Sequence, residues 1–121
     1  MSLNSLSKEI HENAVEHGWW DEERSFGEII ALCHSELSEA LEEYRSHRPF
    51  EYVDDFESDE RITNPNDFDG RKPEGIAVEM ADCIIRILDW CGKENIDIDD
   101  VIHRKMEYNK TRPYRHGGKV L

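Results

Sequence analysis

Two pairs of acids carry the first chemical signal in the chain, Glu36 with Glu39 and Glu79 with Asp82, each pair spaced i, i+3. On a helix that spacing puts both members of a pair on one face. An E-x-x-E on a solvated helix is common and by itself implies only solvation. The second pair sits differently: Ile76, Ala77, Val78, Met80, Ala81, Cys83, Ile84, Ile85, Ile87, Leu88, Trp90 and Cys91 surround it. On a helical wheel these cover nearly the whole circumference, and the only polar strip, about 80° wide, holds Glu79, Asp82, Arg86 and Asp89. Such a helix is expected to be central and buried, and an unpaired buried carboxylate must find a cation or take a proton. Arg86 can neutralise one acid. If the two pairs face each other, four carboxylates converge and hard divalent cations are their natural counterions. An all-oxygen site favours Mg²⁺ or Mn²⁺ over zinc, and Mg²⁺ readily takes phosphate oxygens as remaining ligands.

A second signal has the opposite sign. Lys105, Asn109 and Arg112 are spaced to line one face if their helix persists, and Arg115, His116 and Lys119 follow in the tail. In an acidic chain this reversal suggests an anionic partner, with Lys and Arg clamping a polyphosphate and Asn109 adding neutral hydrogen bonds. The competing reading is a basic turn complementing a helix dipole. Trp19 and Trp20 follow Gly18 and adjoin Asp21-Glu22-Glu23. A base stacks on one of them, or one plugs the core and the other covers a dimer seam. No Glu-x-x-His occurs, against a ferritin-like di-iron bundle, and neither a Walker A nor a G-x-G-x-x-G sequence is present.

Four helical segments must position these groups. The first is expected from about Leu6 to His17, with Leu3, Leu6, Ile10 and Ala14 as a thin apolar stripe and Gly18 closing it. The second runs from about Ser25 to Ser46, and Ser25 with Glu28 has the form of a capping box. With Phe26 at zero, its apolar stripe spans about 300° through 60°, and Glu36, Glu39 and Glu43 border it at about 220° to 280°. Residues 47 to 73 read as a long acidic loop, with Asn64-Pro65, Asp69-Gly70 and Lys72-Pro73 as breakers. The third helix is expected from near Glu74 to between Gly92 and Asn95, and the fourth from Asp97 or Asp99 to about Lys110, before a basic tail over residues 111–121.

The 121 residues suit one all-α domain, with 37% hydrophobic and 36% charged content. A core this thin benefits from self-association. A formal charge of −13 argues against a nucleic acid polymer or an anionic membrane as partner, yet is compatible with phosphate chemistry through bound cations. Cys33, Cys83 and Cys91 form no C-x-x-C and read as reduced core residues. With no membrane-span-length apolar run and no signal-like start, a cytoplasmic protein is expected.

Taken together the motifs resemble the MazG-like nucleotide pyrophosphohydrolases of the all-α NTP pyrophosphatase superfamily. The resemblance rests on Gly18-Trp19-Trp20-Asp21-Glu22, on Ser35-Glu36-Leu37-Ser38-Glu39-Ala40-Leu41-Glu42, and on Lys72-Pro73-Glu74-Gly75-Ile76. Glu79-Met80-Ala81-Asp82, Ile85-Arg86-Ile87-Leu88-Asp89 and the stretch from Lys105 to Lys119 complete it. It implies a four-helix-bundle-like MazG fold with a long acidic loop between the second and third helices. It also implies a homodimer or homotetramer in which each site is walled partly by a neighbouring subunit. The signature falls on Glu36, Glu39, Glu79 and Asp82 as magnesium ligands, and Lys105 and Asn109 match the family's phosphate contacts. Two departures stand out: residues 40 to 78 form a longer gap than in the shortest members, and Ser35 replaces a Glu that many relatives carry.

The implied reaction is hydrolysis of a nucleoside triphosphate to the monophosphate and pyrophosphate, a house-cleaning activity on (deoxy)nucleotides. Water attacks a phosphorus in line, Glu36 and Glu39 are the catalytic pair, and Glu39 orients or deprotonates the water. Lys105, Asn109, Arg112, Arg115, Lys119 and Trp20 are the expected substrate contacts. A related enzyme acting on dUTP or on a phosphoribosyl substrate would keep the same fold and metal. The reading from another class is a non-catalytic acidic helical interaction module, its carboxylates solvated or paired with Arg86.

Overall fold

In the computed structural model, which describes residues 2–53 and 71–114, four helices and one two-stranded ladder are formed. The order is α1 (Leu3–Glu16), α2 (Phe26–Arg45), β1 (Tyr52–Val53), β2 (Pro73–Glu74), α3 (Ile76–Lys93) and α4 (Ile98–Lys110). Most of the expected loop, residues 54–70, and the tail from residue 115 lie outside the described residues.

Local chemistry sets the helix starts. Ser25 caps α2 by accepting from the Glu28 amide, and Asp97 caps α4 by accepting from the Asp100 amide. The N-terminus of α1 is capped by Ser2, which accepts from the Ser5 amide, and also from across the fold, where the Asp99 carboxylate accepts from the Leu3 and Asn4 amides at 3.0 and 3.1 Å. Asn4 answers by accepting from the Asp99 amide and donating to Asp97. The start of α3 has no side-chain cap; instead the Phe50 carbonyl accepts from the Ala77 amide at 3.0 Å. That approach needs Gly75, whose φ is +115° and whose hypothetical Cβ would lie 2.2 Å from the Phe50 carbonyl oxygen.

The ends of the expected loop are therefore ordered as a strap across the bundle. Tyr52 pairs with Glu74 and Val53 with Pro73 in antiparallel register. The Tyr52 hydroxyl donates to the Glu43 carboxylate on α2 at 2.8 and 2.9 Å, and burial together with that charge pushes the Tyr52 hydroxyl well above its usual range.

Helices α2 and α3 run antiparallel: Phe26 at the start of α2 meets Trp90 near the end of α3, with ring centroids 4.8 Å apart. Ile29, Cys33 and Cys83 form the core between them, with Trp20 and Trp90 packed against it. Cys33, Cys83 and Cys91 are free and buried. Helix α1 lies on α3 through Ser7, whose hydroxyl donates to the Leu88 carbonyl, and through a close approach at Gly92, where a Cβ would meet Ser7 and His11.

Ser7 is the buried residue of α1, while the stripe residues Leu6, Ile10 and Ala14 line a cavity. One sequence expectation is corrected. Helix α3 is not enclosed by the described residues: Met80, Ile84, Ile85 and Ile87 are exposed. Its wrap-around apolar pattern exceeds what α1 and α2 alone can cover. Among the described residues no helix is long and apolar enough to cross a membrane.

Candidate metal and substrate site

A cavity of about 920 Å³ opens between α1, α2 and α3. One wall is acidic, with Glu36 and Glu39 from α2 and Glu79 and Asp82 from α3. The facing wall comes from α1, where Leu6, Ile10 and Ala14 alternate with Glu9, Glu12, Asn13 and Glu16. Lys72, Trp19, Ile85, Arg86 and Asp89 complete the lining.

Glu36, Glu39 and Glu79 each bring a carboxylate oxygen to within 4.8 Å of the other two, close enough to share one cation. Asp82 lines the same cavity but stands outside this tight group. Packing explains why Glu36 is inside: it is 8% exposed because it sits next to Cys33 and Ala40 on the buried face of α2. Its oxygen accepts from Arg86 Nε at 3.0 Å.

The acids divide the charge unequally. Burial pushes Glu36 up, but the hydrogen bonds from Arg86, Glu79 and Glu39 and the Arg86 charge outweigh it, and Glu36 ends below the usual carboxylate range. Glu79 goes the other way. Burial, hydrogen bonding to Glu39 and Glu36, and the charges of Glu39 and Asp82 push it up to about 8. Asp82 is also raised, by burial and by Glu36, against the lowering effect of Arg86 and Lys72. Without a cation the cluster thus keeps Glu36 ionised against Arg86 and parks a proton on Glu79, as expected where like charges crowd a poorly solvated site. An all-oxygen donor set with more negative charge than its one arginine offsets fits a hard divalent ion.

The cationic contacts fall elsewhere than expected. Lys105 and Asn109 are exposed on α4, with the Lys105 ammonium 4.8 Å from the Tyr108 ring centroid, and neither they nor Arg112 line the cavity in the single chain. Helix α4 ends at Lys110, so Arg112 does not continue its face. Arg115 and Lys119 lie outside the described residues. Among the described residues the cavity's cations are Lys72 and Arg86.

Trp20, the expected base platform, instead packs against the core and donates from Nε1 to Asp89 at 3.0 Å. Trp19 reaches the cavity, with the Arg24 guanidinium 3.6 Å and the Arg86 guanidinium 5.1 Å from its ring centroid. Adjacent tryptophans in one turn carry no local signal for which points inward. Lys72, Asn13 and Asp89 are further lining residues that spacing alone did not single out, although Lys72 belongs to the Lys-Pro-Glu-Gly run and Asp89 to the polar strip of α3. Comparison with known protein families, with curated proteins and with solved structures returns no match.

Proposed function

We propose that the chain is a Mg²⁺-dependent nucleoside triphosphate pyrophosphohydrolase of the MazG-like all-α kind, releasing a nucleoside monophosphate and pyrophosphate. The observation that carries this reading is the meeting of Glu36, Glu39 and Glu79 from two helices in a cavity whose α1 wall adds the apolar Leu6, Ile10 and Ala14 among polar residues. Acids, Lys72 and Arg86 suit the metal and phosphate end of a nucleotide. Leu6, Ile10, Ala14, Trp19 and Ile85 suit its nucleoside end.

Glu36, Glu39, Glu79 and Asp82 would hold Mg²⁺, with Mn²⁺ as an alternative. Bound there, the ion neutralises phosphate oxygens that gain charge in the transition state. Arg86 keeps Glu36 ionised and in place. Glu39, the exposed member of the cluster, orients the attacking water and takes its proton. Lys72 and Arg86 position phosphates from within the chain.

The exposed apolar face supports a homodimer or homotetramer. Ile30, Leu37 and Leu41 on α2 and Met80, Ile84 and Ile87 on α3 are all exposed. Because the helices are antiparallel, these residues fall on one side of the pair, opposite the acid cluster. Every acid of either helix lies at least about 80° around the wheel from these residues. For a strongly negative chain, such an uncharged face is where a second copy would meet the least repulsion. In that assembly Lys105 and Asn109 would serve a neighbouring subunit's cavity, which reconciles their expected role with their absence from the lining of their own.

The same bare face is what favours the competing reading, a non-catalytic interaction module. The deciding experiment is a screen of common and damaged (deoxy)nucleoside triphosphates for pyrophosphate release with Mg²⁺ and with chelator. Metal-dependent release from at least one nucleotide supports the enzyme. No release, together with no rise in melting temperature from Mg²⁺ plus nucleotide, supports the module.

A further inference from the structure

Asp89 is a buried carboxylate that the proposed reaction does not use. It is 6% exposed, on α3, in the lining of the cavity. Both of its hydrogen bonds fall on one oxygen: Trp20 Nε1 donates to Oδ1 at 3.0 Å, and His11 Nδ1, facing the same oxygen at 2.8 Å, donates as well. The other oxygen, Oδ2, has no partner among the described residues. No buried side-chain polar atom among them is left unsatisfied either, so Oδ2 keeps some solvent access on a residue that lines the cavity. Keeping a carboxylate here costs more than an apolar side chain would, and its two donors fix the orientation in which Oδ2 is presented.

The position of Asp89 selects what it meets. It lies seven residues, two turns or about 10 Å along the helix axis, beyond Asp82, on the scale of a nucleoside measured from its phosphates. A carboxylate repels phosphate oxygens and attracts N–H and O–H donors. We infer that Asp89 Oδ2 is the recognition group at the nucleoside end of the cavity, accepting a hydrogen bond from a neutral donor of the substrate, a sugar hydroxyl or a base N–H. This rests on the pyrophosphohydrolase reading.

Asp89→Asn tests it with a sharp polarity argument. Trp20 and His11 are both donors toward Oδ1, so the amide oxygen takes that place and the NH₂ group takes the place of Oδ2. The acceptor becomes a donor while shape is kept. With the full chain and the best triphosphate, KM is expected to rise about 10- to 100-fold, the range for a hydrogen bond to a charged group. Neither kcat nor Mn²⁺ affinity should change appreciably, because binding is lost equally in ground and transition states. The penalty should vanish with the analogue that lacks the donor: a deoxy sugar identifies a hydroxyl, a base stripped of its N–H identifies the base. The wild-type chain should itself lose about 10- to 100-fold in KM on that analogue, a comparison that does not depend on the variant folding. A wild-type KM in Asp89→Asn, or a penalty of equal size on every analogue, overturns the direct contact while leaving the enzyme reading intact. A wild-type chain that releases no pyrophosphate overturns both.

Discussion

Metal binding to the acid cluster must displace a proton, and the size of that effect follows from Glu79. Crowding and burial raise its carboxyl from an ordinary 4.5 to about 8, so at pH 7 it holds a proton roughly 90% of the time, and a ligating carboxylate must give it up. The apparent dissociation constant for Mg²⁺ or Mn²⁺ scales as one plus the ratio of protonated to ionised Glu79. It should fall about 50-fold between pH 6 and pH 8 and flatten above about pH 9. The sign for stability is opposite. A raised folded-state value stabilises the metal-free protein fully below 4.5, and this contribution is lost as pH rises through about 8. Isothermal titration calorimetry of Mn²⁺ in two buffers of different ionisation enthalpy should report release of about 0.9 proton at pH 7 and about half a proton at pH 8. Glu79→Gln should abolish both the proton release and the pH dependence below pH 8. Constant affinity from pH 6 to 8 with no proton released would refute the crowding argument.

Three further outcomes follow from the packing. Gly75→Ala forces a Cβ into the Phe50 carbonyl at a φ of +115° and should cost about 1–3 kcal/mol, seen as a drop in melting temperature and in protease resistance around residues 50–53. Asp99→Ala removes the acceptor for the Leu3 and Asn4 amides and should destabilise by about 1–2 kcal/mol, measured by urea denaturation, with metal affinity unchanged. Ile84→Glu places a charge on the exposed α2–α3 face and should shift the proposed homo-oligomer to monomer in analytical ultracentrifugation; an unchanged oligomer would remove that face as the seam.

Much of the fold was legible because its signals are local. Ser25 with Glu28 marks the start of α2, Asp97 was one of the two caps offered for α4 and is the one used, and helical periodicity located all four helices to within a few residues. The meeting of Glu36 and Glu39 with Glu79 could be anticipated because α3 offers few other polar positions. What spacing could not supply depends on the third dimension. Ser7 and Gly92 make the α1–α3 contact through small size, which a search for apolar stripes passes over. Trp19 and Trp20 differ only in which finds a buried acceptor, and Asp89 is far away in sequence. The apolar wrap of α3 shows that all its faces avoid water but not whether the cover belongs to the same chain, so Met80 and Ile84 were expected inside and are found outside. Lys105 and Asn109 were expected at the phosphates, yet they do not line the cavity of the described chain.

The most direct measurement is pyrophosphate release by the full chain beside Glu39→Gln and Asp82→Asn, one acid neutralised on each helix, in Mg²⁺ and at equal melting temperature. The expected result is metal-dependent turnover by the wild type and a fall of about 10²-fold or more in both variants. Full turnover in either variant would contradict the claim that acids of α2 and α3 act together on one bound ion.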